Sequence, residues 1–472
     1  MKTNLFKITL IALFGVIIAL SSCKPDPIVD PNPYETTFED DGNGNITVTD
    51  KGEGTGNYTF TSDKTWILDG LVFVNEGQTL SIEAGTLIKG KPGTGENASA
   101  LVIARGGKIN AVGTSENPIV FTAEADNYDG TGIDAGITGQ WGGIIILGKA
   151  TTNNPSSDKA IEGIPTSEIR GLYGGSDDTD NSGILKYVSI RHGGTDIGEG
   201  NEINGLTLGA VGSGTTIDYV EVSANADDGI EFFGGAVMVK HALVANCGDD
   251  SFDYDEGFHG KGQFWVTVQN SDSDRGGEHD GGPSDNETGT PYSLPVIYNA
   301  TYIAADASGS KTVSLRDNAG GTYRNSIFVN FGKGLDIEYL QDDSGTMTGC
   351  SFKMWEHDYL NIENNIFYNV ADQTDELSYD VSKLFKVTVP KDDNDNPLYD
   401  VPSDKLNAWY TAFEGNLNSV SNPGISADNP VPSNPQTNNL ASYDTGFDNV
   451  SYKGAFDNTN WAAGWTLTFS NK

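Results

Sequence analysis

The stretch NADDGIEFFGG (Asn225–Gly235) is followed by NCGDDSFDYDEG (Asn246–Gly257) and then by NSDSDRGGEHDGG (Asn270–Gly282). Each opens on asparagine, runs through aspartates and reaches a further acid. Asp227 to Asp249 is 22 residues and Asp249 to Asp272 is 23, while Glu231 to Asp253 is 22 and Asp253 to Glu278 is 25. A recurrence of this length marks a repeat architecture, in which each unit packs on its neighbours. Working outward, short apolar segments recur: GLVFV (Gly70–Val74), ALVIA (Ala100–Ala104), GGIIILG (Gly142–Gly148), IDYVEV (Ile217–Val222), QFWVTVQ (Gln263–Gln269) and YRNSIFV (Tyr323–Val329). No long run of helical period separates them, which argues against alternating strands and helices. Each strand is followed by a second short strand rather than a hairpin return, which argues against a sandwich. The expected fold is all-β, a right-handed parallel β-helix with each strand stacked on its equivalent about 4.8 Å along the axis. Asn225, Asn246, Asn270, Asn330 and Asn369 close successive strands, as in a structural ladder of turn asparagines bonded from coil to coil.

The chain has 472 residues, with 28 Lys and Arg against 66 Asp and Glu, a formal net charge of −38. Such a surface repels nucleic-acid phosphates and anionic lipid and suits cations, above all calcium. At the N-terminus, Lys2 and Lys7 precede an apolar run over Ile8–Leu20 and the tetrapeptide LSSC (Leu20–Cys23). The run is too short for an ordinary membrane span. Small residues directly before a cysteine resemble a lipobox, so residues 1–22 are expected to be a lipoprotein signal peptide and Cys23 the acylated residue. The proline-rich KPDPIVDPNP (Lys24–Pro33) reads as a stiff tether, assigned with Cys23 to residues 23–45. The β-helix is expected over residues 46–371, and residues 372–472 as C-terminal coils and a cap. Trp461, Trp465, Phe456 and Phe469 are the aromatics of that cap, with a sugar-stacking platform as the alternative. Cys247 and Cys350 stand about four coils apart, too far for a disulfide, and are expected to be buried free thiols.

The segments GQTLSIEAGTLIKG, GGKINAVGTSENPIVFTAE, GQWGGIIILGKA and DDGIEFFGG, with the closing VSYKGAFDNTNWAAGWT (Val450–Thr466), resemble a family of β-helix surface lipoproteins of Bacteroidota. The resemblance runs from about Thr47 to the C-terminus. It implies the fold and an outer-membrane, lipid-anchored location, with Asp26, which follows Cys23 after Lys24 and Pro25, favouring display at the cell surface. It names no substrate.

In a β-helix, intervals of 22 to 25 residues place equivalent acids above one another. Two carboxylates about 5 Å apart repel by roughly 3 kcal/mol at an effective dielectric near 20. Stacked rows of them call for raised pKa values or a bound cation. Asp227, Asp228, Glu231, Asp249, Asp250, Asp253, Asp255, Asp272, Glu278 and Asp280, with Glu256 beside them, offer oxygen ligands only, which selects calcium over zinc or copper. The alternative is a solvated acidic face. KDDNDNP (Lys391–Pro397) is a weaker candidate loop without the glycine and distal glutamate of an EF-hand.

Two enzymatic readings compete with binding. Asn225-Ala226-Asp227 and Gly248-Asp249-Asp250 match two motifs of β-helix pectinases, whose paired acids flank a glycosidic bond, but the Gly-His-Gly and Arg-x-Lys motifs are absent. A calcium-dependent lyase on acidic polysaccharide would instead use Lys261 or Arg275 as base, with His279 nearby, unless these cations only balance charge. The reading the sequence favours is a calcium-containing binding or accessory protein. It would capture glycan or nutrient beside an outer-membrane transporter; a structural or adhesive surface protein is the further alternative.

Overall fold

Short strands, each with an inward apolar row, stack into three parallel faces around one core. The computed structural model describes residues 34–156, 159–198, 201–283, 286–305 and 310–470. One face stacks ten strands, from Leu71–Val74, Ala100–Ile103, Ile144–Leu147 and Leu206–Gly209 through Ile230–Phe233, Phe252–Asp255, Gly277–Asp280 and Ser314–Arg316 to Leu335–Glu338 and Phe385–Thr388. The other two begin as separate strands, Leu87–Gly90 with Ile119–Ala123 on one and Thr79–Ile82 with Lys108–Val112 on the other. They merge into four bent strands, Gly183–Arg191, Thr216–Ser223, Met238–Ala245 and Lys261–Gln269, and part again into Val296–Tyr298 and Thr301–Ala304. Every one of these ladders is parallel, as a β-helix requires. Inward residues such as Ile230, Phe232, Phe252, Tyr254 and Trp265 are fully buried in the shared core.

The bend in the long strands sits at one residue per coil. Tyr187, Tyr219, His241 and Phe264 take φ of 50°, 56°, 45° and 61°, and Asn299, Asn325 and Asn364 continue the row at 56°, 55° and 60°. A left-handed residue that is not glycine costs roughly 1–2 kcal/mol. The four rings offset part of it by stacking, with centroids 4.4, 4.1 and 4.7 Å apart. Asparagine tolerates the same geometry locally.

The predicted asparagine ladder is shorter than expected. Ser223 pairs with Ala245 and Ala245 with Val268, so Asn225 and Asn270 stand one step beyond the row that holds Asn246. Asn330 and Asn369 share that row and are bonded, Nδ2 of Asn369 donating to Oδ1 of Asn330 at 3.1 Å. Asn225 is buried and donates Nδ2 to the carbonyls of Asp228 (2.9 Å) and Ile203 (3.2 Å).

The ends depart from the expected boundaries. The expected signal peptide, Cys23 and the tether as far as Pro33 lie outside the described residues, but Thr37–Asp40, placed in the tether, pairs antiparallel with Asn45–Thr49. The tenth strand of the long face, Phe385–Thr388, falls among the coils expected beyond residue 371. Ser403–Gly415 then forms a helix whose Trp409 and Phe413 are buried and packed on Phe352 and Phe385, closing that end of the coil. Trp461, Trp465, Phe456 and Phe469 do not cap an end. The chain runs back along the coil, where Phe456, Ala462 and Phe469 cover the outward residues Leu243, Ala245, Phe264 and Val266. Trp465 is 2 % exposed and Trp461 meets Tyr219 and His241 edge-on, so neither presents a free ring for stacking a sugar. Cys247 and Cys350 are buried free thiols, and burial pushes the Cys247 thiol up to about 12. Among the described residues no helix is long and apolar enough to cross a membrane.

Candidate metal-binding face

The outward side of the ten-strand face changes character along the axis. In its first coils it is apolar, Val102, Ile145 and Leu147 lying under Ile161, Ile164, Tyr173 and Ile203. Strand alternation then points acids outward. Thr207 pairs with Glu231, Glu231 with Asp253 and Asp253 with Glu278, so the predicted row Glu231–Asp253–Glu278 is a true stack. Phe233 pairs with Asp255, and Asp280 with Arg316.

A second row runs along the turn that enters each strand. Gly205, Gly229 and Ser251 take successive positions before the strands, which aligns Asn204, Asp228, Asp250 and Arg275. The backbone N–H of Asp250 donates to Asp228 Oδ1 at 2.8 Å, tying two of these coils together. One residue earlier, Asp227, Asp249 and Asp274 form the outermost row, Asp274 N–H donating to the Asp249 carbonyl at 3.0 Å. Asp274 therefore replaces Asp272, which is exposed and two residues from the place the 23-residue interval gave it. The loop after Asn270 is longer than its predecessors, and an interval counted along the chain cannot see where the extra residues bulge.

These rows bring three groups of acids together, each with carboxylate oxygens within 4.8 Å of one another: Asp227, Asp228 and Asp249; Asp228, Glu231 and Asp253; Asp249, Asp250 and Asp274. Asp228 and Glu231 are 7 % and 8 % exposed, Asp250 is 1 % exposed, and Asp249 stands in solvent. Burial, reinforced by neighbouring carboxylates, holds Asp228, Glu231 and Asp253 well above the usual carboxylate range. Burial with Glu162, Glu202 and Asp249 pushes Asp227 up to about 7, and burial with Glu256 and Asp280 does the same for Asp255.

Among the described residues, arginines pair with the third group and with the acids beyond it. Arg275 pairs with Asp250 and Glu278 at 2.9 Å and with Asp274 at 3.1 Å. Arg316 holds Asp280 through Nε (3.1 Å) and Nη2 (2.7 Å) and reaches Glu278 at 2.9 Å. Glu278, Asp280 and the outer part of Asp250 are thus compensated by arginine. Glu256, also fully buried, is held by Lys159, by Tyr173 Oη at 2.6 Å and by Asn154, which fastens the segment after Gly148 to the coil. No lysine or arginine among the described residues pairs with Asp228, Glu231 or Asp253. Around them three buried acceptor oxygens have no donor at all: Asn204 Oδ1, Asp250 Oδ1 and Asp253 Oδ1. The residues fit a hard cation, because the unpartnered atoms of Asn204, Asp250 and Asp253 are all oxygen acceptors, while the unpartnered donor Arg275 Nε belongs to the arginine that already pairs with Asp250 and Glu278.

Asn204 was missed from the sequence. Its signal was available, since Asn204-Gly205-Leu206 aligns with Asp228-Gly229-Ile230, an amide standing where the next coil has an acid. The catalytic candidates fare differently. His279 points inward, is fully buried, stacks on Tyr254 at 3.9 Å and is pulled down to about 3 by burial. Its Nδ1 lies 2.5 Å from the Glu278 carbonyl and must donate to it, leaving Nε2 to accept from Tyr323 Oη at 2.7 Å. Lys261 lies on a different face, its Nζ donating to the Thr445 carbonyl at 2.8 Å. Of the proposed bases only Arg275 adjoins the acids, and it is engaged by three of them. The loop Lys391–Pro397 folds on itself, with Asp392 accepting from the N–H groups of Asn394 and Asn396 at 2.9 Å, and gathers no second acid-rich strand.

Residues 52–414 match the pectate-lyase-like β-helix domain family. The chain belongs to this family. Among solved structures, the crystal structure of the Dettilon tailspike protein (gp208) is similar at 11 % identity and a TM-score of 0.22, over 70 % of this chain and 61 % of that one. No curated protein matches the sequence.

Proposed function

We propose that this protein is a calcium-loaded binding protein for acidic polysaccharide, carried on the outer membrane by a lipid on Cys23 and serving as an accessory to an outer-membrane transporter. The observation that carries the proposal is the surplus of buried oxygen acceptors around Asp228, Glu231 and Asp253, with Asn204, Asp250 and Asp253 each holding an oxygen that no donor reaches. Buried carboxylates in that state are costly unless protonated or neutralised by a cation. Asp228, Glu231, Asp253 and Asn204 would hold the ion. Calcium takes six to eight oxygens, so these four leave coordination positions toward the half-buried Asp227 and the exposed Asp249. A carboxylate of an acidic glycan entering there would complete the shell, and the pectate-lyase-like family supports that class of ligand. The binding reading is preferred to a lyase because the cations beside the acid rows are each committed to carboxylates.

Chelation is the test. Removing calcium should lower the melting temperature of the wild-type chain, since a ligand bound to the native state alone stabilises it. Asp253→Asn should abolish that response, and calcium should restore retention of the wild-type chain on immobilised pectate. A melting curve indifferent to chelator would exclude the ion. Release of unsaturated uronate that is lost with Arg275→Ala would make the protein a lyase instead.

A further inference from the structure

The returning C-terminal segment carries a buried lysine, Lys453. Lys453 is 3 % exposed, and among the described residues its ammonium makes no ion pair and donates no hydrogen bond. Burial alone pulls it down to about 8, with no carboxylate opposing the shift. Buried lysines are ordinarily paired, because an unaccompanied charge loses its hydration without return. Lys453 lines a cavity of about 220 Å³ on the returning segment. That is smaller than the roughly 300 Å³ at which pockets for drug-sized ligands begin, so the space suits a single ring or a small acid.

The rest of the lining restricts the ligand further. Pro432, Pro435 and Phe456 give it apolar walls, while Thr437, Asp457 and Asn458 supply groups able to accept from or donate to hydroxyls. A bare carboxylate would satisfy the lysine and leave Thr437 and Asn458 idle, together with the oxygen of Asp457 that does not accept from the Thr459 N–H. A neutral sugar would satisfy them and leave the lysine unpaired. We propose that this cavity is a binding site for a monomeric sugar acid, whose carboxylate pairs with Lys453 and whose hydroxyls meet Thr437, Asp457 and Asn458. The site shares no residue with the acid rows and does not rest on the calcium reading.

Competition labelling of the full chain tests it, with D-glucuronate as probe. Acylation of Lys453 by an amine-reactive ester, read by peptide mass spectrometry, should slow about tenfold at roughly ten times the Kd of glucuronate. Glucose and acetate at the same concentration should leave the rate unchanged. Calorimetric binding of glucuronate should vanish in Lys453→Met. Absence of protection by millimolar glucuronate, equal protection by acetate or glucose, or glucuronate binding that survives Lys453→Met would each overturn the proposal. Should Lys453→Met fail to fold, the labelling arms on the wild-type chain decide it.

Discussion

A single position repeated on every coil shows how much one residue's backbone decides. The row from Tyr187 to Asn364 is left-handed throughout, yet it is aromatic where the returning segment lays Trp461 and Trp465 against it and asparagine where that segment needs hydrogen bonds. Asn299 and Asn325 donate to the carbonyls of Tyr452 and Ala441 at 2.9 and 3.1 Å, and Asn364 to that of Asn439 at 2.9 Å. The charge rows obey the same economy of position. Glu338 follows Arg316 along the axis, but burial, helped by the carboxylates of Asp317, Glu287 and Asp280, outweighs the hydrogen bond from the Asp317 N–H and pushes its carboxyl up to about 7, above its ordinary value of 4.5. A raised carboxyl favours the folded state only while protonated. Its contribution is therefore complete below about pH 4.5 and is lost as pH rises through 7. Glu338→Gln keeps an acceptor for the Asp317 N–H, now 3.0 Å away, and removes the penalty. We expect the variant to be more stable than wild type by about 1–3 kcal/mol at pH 8, with the difference gone near pH 4.5, as read by denaturant titration at both pH values.

At the scale of elements, the strands were legible and the returning segment was not. Strand positions such as Leu71–Val74 and Ile144–Leu147 coincide with apolar runs because burial on both faces demands them. The segment from about residue 417 onward has almost no regular structure among its described residues, so no periodicity announces it. Its anchor is Glu221, which is fully buried and accepts four hydrogen bonds: from the N–H groups of Leu467 (2.7 Å) and Thr468 (2.9 Å), the Thr468 hydroxyl (2.8 Å) and the Ser189 hydroxyl (2.6 Å). Glu221→Ala leaves the buried Ser189 hydroxyl and the half-buried donors of Leu467 and Thr468 unpaired, at a cost of about 2–4 kcal/mol. Limited proteolysis should then cut the segment after Val420 while the coil survives. Retention of wild-type protease resistance would mean that the apolar contacts of Phe456 and Phe469 hold it unaided.

At the scale of the whole molecule, a solenoid joins each coil mainly to its neighbours, and cooperativity decays with length. The returning segment joins distant coils, since it touches Glu221 through Leu467, Gln263 through Asp448 at 2.9 Å and Asn365 through Ser419 at 3.0 Å. Deleting residues 443–470, which leaves the helix Ser403–Gly415 in place, should broaden the unfolding transition and reduce its denaturant slope, with the coils opening in more than one step. An equally sharp transition would show that the core alone couples the coils. The sequence by itself determined the repeat, the parallel coil and the stack Glu231–Asp253–Glu278, because a period in the chain becomes a register in space whenever successive turns have equal length. It determined the oxygen-only chemistry of the acid face for the same reason. The tertiary structure alone decided which acids are left without a cation. Arg275 and Arg316 neutralise one end of the rows, Asn204 from the preceding coil meets Glu231 at the other, and His279 turns inward by strand alternation. Those outcomes depend on loop lengths and side-chain directions that bring residues together across coils, and a spacing counted along one chain carries neither.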